Sequence, residues 1–135
     1  MQAKTPVKWE EKTLGEIFDK ASSNISQNKL NNCDGDYPVY GASGFIKKIN
    51  FYHQDKDYLA IIKDGSGVGR VKYYEAFSSV LGTLQYLLPK DNLNIRFGYY
   101  YMLSVDFKKY HQGAAIPHIY FKDYSIEKLL FPTLE

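Results

Sequence analysis

Between Tyr37 and Leu88 the chain alternates short apolar runs with glycine-bearing breaks: "YPVYG", "GFIKKINF", "YLAIIK", "GRVKYY" and "TLQYLL". No other feature constrains the fold as tightly. Runs this short, rich in β-branched and aromatic residues, read as strands, and five of them in about fifty residues leave room only for tight turns. Helical signals flank this block. Thr13 followed by Glu16 forms a capping-box pattern, and "LGEIFDKA" after it puts Leu14, Ile17 and Phe18 on one helical face. Leu93, Phe97, Tyr100, Tyr101 and Ser104 recur at helical spacing behind Asn92 or Asn94 as cap, which predicts a second helix despite Gly98. Residues 22–36 are rich in Ser, Asn and Asp and predict a polar surface loop. The tail from His111 resumes as strand, turn and strand, with Pro132 expected to stop the last. The fold class is therefore α+β: a single compact domain over residues 1–135, built on a twisted, mostly antiparallel sheet of short strands with two to three short helices. At 135 residues and 44% apolar composition the chain is long enough to bury a core.

The run "IIKDGSGVGRV" is the obvious place to seek chemistry, because glycines let backbone N–H groups approach a phosphate. Its spacing fails the known templates. A dinucleotide fingerprint needs G-x-G-x-x-G and then a helix, whereas here G-x-G-x-G leads into the strand-like "RVKYY"; the Gly-Lys-Ser/Thr of a P-loop is missing. Asp64-Gly65 is a hairpin signal, and the Asp64 carboxylate would repel a phosphate. A small nucleotide- or phosphate-dependent enzyme built on Gly65–Gly69 is thus the alternative reading.

Other chemistries find little support. His53, His111 and His118 contain no pair at i, i+4, and the single Cys33 provides neither a disulfide framework nor a cysteine zinc site, so no metal and no cofactor are expected. Cys33 reads as a reduced thiol in a loop of a cytosolic protein. "GASG" and "GSG" lack the frame of a nucleophile elbow, and the acids of "QDKD" and "CDGD" read as solvated turn residues. No catalytic residue is assigned. No apolar run approaches the ~18 residues of a membrane span, and "MQAKTPVKWEEKTLG" has no signal-peptide core, so a cytoplasmic location without membrane contact is expected.

The net charge of +2 is unevenly spread: residues 1–36 carry net −1, residues 37–90 net +3, and residues 91–135 net zero. In the basic middle, Lys47, Lys48, Lys63, Arg70 and Lys72 lie beside glycine turns and tyrosines, which suits donors to phosphates and base edges. Thirteen tyrosines, amphipathic side chains common at binding surfaces, leave a protein-interaction module as a further alternative.

Taken in order, "WEEKTLGEIF", "GDYPVYGASGFI", "YLAIIKDGSGVGRV", "TLQYLLP", "YYYML", "QGAAIPHI" and "IEKLLFPTLE" resemble the target recognition domain of type I restriction-modification specificity subunits, across nearly the whole chain. The resemblance implies a non-catalytic domain that reads one half of a bipartite target in double-stranded DNA, with methyltransferase (modification) and restriction subunits as partners. It implies base contacts from Lys63, Arg70, Gln85, Gln112 and the Asn-rich loop, phosphate contacts from Lys47, Lys48, Lys72 and the glycine-turn amides, and DNA contact also from Ser66 and His118. Full-length members carry two such domains separated by two long helices. One unit without a spacer is expected to be half of a larger protein, a half-subunit pairing with another copy, or a fragment. A second recognition domain or another copy is thus a further expected partner.

Overall fold

The computed structural model describes residues 7–90, 93–113 and 115–134. Strand β1 (Val7–Thr13) leads into a single turn of helix, α1 (Leu14–Ile17), and then strand β2 (Phe18–Ser22). The capping box forms: the Glu16 carboxylate accepts from the Thr13 backbone N–H at 2.9 Å and from the Thr13 hydroxyl at 3.0 Å. Leu14, Ile17 and Phe18 are all buried, as their shared helical face predicts, but Phe18 is already extended.

The five glycine-punctuated runs are strands β3 (Tyr37–Gly41), β4 (Gly44–Ile49), β5 (Tyr58–Ile62), β6 (Val71–Tyr74) and, after the two-residue β7 (Ser79–Val80), β8 (Leu84–Pro89). Strands β2-β8-β5-β6 form an antiparallel four-stranded sheet. Strands β4-β3-β7 form a second sheet, in which β3 and β7 run parallel. Every residue of β5 is buried, so its alternation serves two cores. Leu59 and Ile61 face the helices, packing with Phe18, Met102 and Tyr124, whereas Tyr58, Ala60 and Ile62 face the second sheet, packing with Val80 and Tyr86. Leu59, Ile61 and Ile62 each contribute roughly 1.5–3 kcal/mol of burial free energy, which makes β5 the axis of the molecule.

Helix α2 (Ile95–Ser104) starts at Asn94, whose side chain accepts from the Phe97 N–H at 3.2 Å. Its buried positions are Gly98 and Met102, while Tyr100 and Ser104 point to solvent. Gly98 is a contact requirement: a Cβ there would lie 3.0 Å from the Phe18 ring. The alternative cap, Asn92, lies outside the described residues.

Three expectations need correction. The loop at 22–36 contains a 3-10 turn over Gln27–Asn32 and tucks Ile25 and Leu30 under β3, where they meet Val39 and Ile49. The tail after His118 forms helix α3 (Phe121–Tyr124) in place of a strand. Pro132 does not stop the last strand: β9 (Lys128–Leu134) runs through it and pairs antiparallel with β1, Pro132 opposite Trp9. A two-stranded ribbon has an unpaired side along each strand, where the missing N–H of proline breaks no ladder bond. Short antiparallel strands and few, short helices make the architecture α+β, as expected. Among the described residues no helix is long and apolar enough to cross a membrane.

Candidate nucleic-acid interface

The loop joining β5 to β6 is built on Gly65, Gly67 and Gly69 at φ of 84°, 84° and 93°, the left-handed region where a Cβ is strained. Alternating glycines let the chain coil tightly and close on itself: Gly69 N–H donates to Ile62 O at 2.8 Å, Ile62 N–H to Arg70 O at 3.0 Å, and Arg70 N–H to Gly67 O at 3.0 Å. Lys63 and Asp64 both donate to Thr83 O, and Val68 donates to Gly65 O. Internal bonds therefore consume most of the amides a phosphate cradle needs. Only the N–H groups of Ser66 and Gly67 lack a bond to another described residue. This geometry removes the main physical support for a nucleotide-binding loop and for the idea that the glycine amides hold a DNA phosphate.

The same loop is a docking platform. Gln112 and His118 form an antiparallel bridge, closed by Gln112 N–H to His118 O and His118 N–H to Gln112 O, both 2.9 Å. Gly65 N–H donates to Pro117 O at 2.9 Å and Ile119 N–H to Lys63 O at 2.9 Å, so segments some fifty residues apart lie edge to edge, Asp64 bridging His118. This brings Lys63, Ser66, Arg70, Gln112 and His118 to one end of the β5–β6 hairpin. Arg70 and Ser66 are exposed, and among the described residues Lys63, Arg70 and Lys72 form no ion pair. Arg70 and Lys72 also line a cleft of about 250 Å³ against the C-terminal turn of α2. Gln112 is partly committed, its side-chain amide donating to the Asp123 carboxylate at 2.8 Å, and the His118 imidazole sits 3.2 Å from Ile116 O.

A family model described as the type I restriction modification DNA specificity domain matches residues 6–135. The chain belongs to this family. A putative type I specificity subunit of Mycoplasma genitalium is 35% identical to it over 67 residues, covering 47% of this chain and 17% of that protein. Among solved structures, a type I restriction-modification S subunit from M. genitalium superimposes with a TM-score of 0.76 at 18% identity, covering 98% of this chain and 36% of that one. A chain from a study of complex assembly and conformational transition of the type I R-M system gives 0.69 at 20% identity, and an HsdS subunit from Thermoanaerobacter tengcongensis gives 0.63 at 19%. The cover is again 98% of this chain, against 36% and 34% of theirs. The specificity domain thus spans about a third of these solved chains.

The remaining residues singled out in the sequence lie elsewhere in the specificity domain. Gln85 is buried at 7% exposure and its side-chain amide donates to Ala21 O, stitching edge strand β2 to β8; it has no surface on which to meet a base. The Lys47 ammonium donates to Leu30 O at 2.8 Å and lies 3.3 Å from Asp34, holding the 27–34 segment against β4. Lys48 is exposed, but it pairs with Pro38 in the β4-β3-β7 sheet, whereas the glycine loop belongs to the four-stranded sheet. The structure adds residues that spacing did not reveal. A cleft of about 370 Å³ beside Gln112 is lined by Lys109, Tyr110, His111, Lys122, Asp123 and Ile126. The "KKYH" run at 108–111 was the available signal, obscured by the even charge balance of that third of the chain. One cation there is neutralised in place: Lys109 and Glu127 form an ion pair at 3.0 Å. Burial pushes the Glu127 carboxyl up, but hydrogen bonds from Tyr110 and Lys109 outweigh it and hold the group below its ordinary value.

Proposed function

We propose that this chain reads double-stranded DNA in a sequence-specific way, recognising one half of a bipartite target as a single recognition domain of a type I specificity subunit. The chemistry then resides in partner modification and restriction subunits, in the cytoplasm. The observation that carries the reading is the docked pair of segments: the glycine loop and the Gln112–His118 bridge bring Lys63, Ser66, Arg70, Gln112 and His118 together, and no carboxylate among the described residues neutralises Lys63, Arg70 or the neighbouring Lys72. Arginine and lysine bind phosphates or guanine edges, and an amide side chain reads adenine once it exchanges its protein partner for the base.

Lys63, Arg70 and Lys72 are the phosphate or guanine contacts, Ser66 a backbone contact at the loop tip, and Gln112 and His118 the groups nearest a base. Lys47, Lys48 and Gln85 fall outside this surface. Selection from a random-duplex pool, followed by affinity measured against salt, tests the proposal. A selected short motif and a negative log–log salt slope are expected. Arg70→Ala should make that slope shallower by ~1 if Arg70 holds a phosphate, and Gln112→Ala should relax preference at one position by roughly 1–3 kcal/mol. Binding without sequence preference and without salt dependence would overturn the reading.

A further inference from the structure

Phe77 stands out because it is both strained and exposed. It is the one non-glycine among the described residues with positive φ, at 63°, and its side chain is half exposed. A bulky residue in the left-handed region is a true outlier, and a ring left in water forgoes burial, so neither feature serves the fold. The backbone around it is nevertheless locked. Phe77 N–H donates to Gln54 O at 2.8 Å, Gln54 N–H to Ser78 O at 3.2 Å, Ser78 Oγ to Glu75 O at 2.8 Å, and Asp57 accepts from Ala76 N–H at 2.9 Å. The ring is backed by an aromatic relay, Tyr52 edge-on at 5.1 Å and Tyr37 a further 4.9 Å behind. Tyr52 and the neighbouring Phe51 are themselves exposed.

The charge around this corner decides its partner. Asp36, Asp55, Asp57 and Glu75 lie on the segments that carry the rings, against Lys48, Lys56 and, from α2, Arg96 over the Tyr73 ring at 5.2 Å; Asp57 is held by the Tyr73 hydroxyl and the Ala76 N–H, the Asp34–Lys47 pair cancels itself, and the balance stays acidic. Strand register sets the corner apart from the glycine loop: Tyr58 pairs with Tyr74 at one end of the β5–β6 hairpin and Ile61 with Val71 at the other. We propose that this acidic aromatic corner is a second interface that docks a protein segment bearing arginine or lysine side chains. Aromatic faces and carboxylates both attract a guanidinium or ammonium, whereas a phosphate backbone is repelled by the same carboxylates. The inference rests on the proposed function only in its choice of probe.

The probe is the modification subunit of the same restriction-modification system, with binding followed by calorimetric titration alongside selected duplex DNA. Phe77→Gly should leave the melting temperature unchanged or raise it, because glycine accepts the backbone geometry, and should weaken association with the modification subunit at least tenfold. Glu75→Lys, a surface change, should weaken the same association at least threefold. Duplex affinity at 0.15 M salt should stay within twofold for both. Undiminished association in both variants, or no association of the unaltered chain, overturns the proposal. A tenfold loss of duplex binding by Phe77→Gly makes the ring a DNA wedge and also overturns it, as does loss only of self-association in sedimentation velocity, which makes a second copy the occupant. Failure of the DNA-reading proposal shows separately, as absence of a selected motif.

Discussion

Tyr124 carries its hydroxyl into the core, where Phe107, Phe121 and Tyr110 surround the ring and the oxygen finds no hydrogen-bond partner among the described residues. Burial pushes its phenol well above the ordinary value, so the group stays protonated and unpaired. Tyr124→Phe removes the desolvated hydroxyl and keeps the ring, and should raise stability by ~1 kcal/mol in urea denaturation. His53 makes a different use of burial. Its Nδ1 lies 2.8 Å from the Tyr86 hydroxyl, which also accepts from Val80 N–H at 2.9 Å, so the Tyr86 proton is well placed to bond a neutral imidazole. Burial holds the His53 pKa below its ordinary value. The unfolded chain therefore binds more protons as pH falls below ~6.5, and stability should be flat above that point and decline from there toward the lowered folded value. His53→Asn should abolish this slope in pH-resolved melts. Glu127, whose folded pKa is depressed, loses its contribution only at lower pH, as the medium passes below the ordinary carboxylate value, so the two windows separate.

The β5–β6 connection joins local strain to loop position. Gly69 has φ of 93°, and a Cβ on it would lie 3.1 Å from the Phe107 Cβ. Gly69→Ala should therefore destabilise by roughly 1–3 kcal/mol in equilibrium unfolding, whereas Ser66→Ala at the exposed tip should change stability by less than ~0.5 kcal/mol. This contrast separates a scaffold glycine from a contact residue. The loop was legible in the sequence as a strand–turn–strand connection because three glycines and Asp64-Gly65 have few other uses between apolar runs. The five strands were legible for the same local reason. Helix α2 was legible by its period but not by its face, because the buried side is set by Phe18 pressing on Gly98, a contact between residues eighty apart. Strand β1 escaped because "VKWEEKT" has little apolar alternation, and β9 was expected only as far as Pro132, which argues against a continuing strand unless its ribbon edge is known. The two-residue β7 is too short to carry a period at all.

At the scale of the whole molecule, the candidate surface depends on long-range closure, which explains why only part of it was readable. Arg70 and Lys63 were found as basic residues beside glycines, and the docking of Gly65 against Pro117 assembled them with Gln112 and His118. Gln85 looked equally suitable by residue type and was lost to the core, since local pattern does not reveal which amide points inward. The same closure separates charge along the β5–β6 hairpin. From Arg70 to Glu75 the strand advances five residues, about 16 Å at ~3.3 Å per residue. Two unit charges that far apart in water interact by roughly 0.3 kcal/mol before screening. With a Debye length of about 30 Å at 0.01 M salt most of that survives, and with about 8 Å at 0.15 M little does. Glu75→Lys changes the charge by two and acts on several phosphates of a duplex held at the Arg70 end. It should therefore tighten duplex binding several-fold at 0.01 M salt and by less than about 1.5-fold at 0.15 M. Arg70→Ala, removing a direct contact, should weaken binding at both. Equal effects of Glu75→Lys at the two salt concentrations would mean that the duplex reaches the Phe77 corner and that the two ends of the hairpin form one surface.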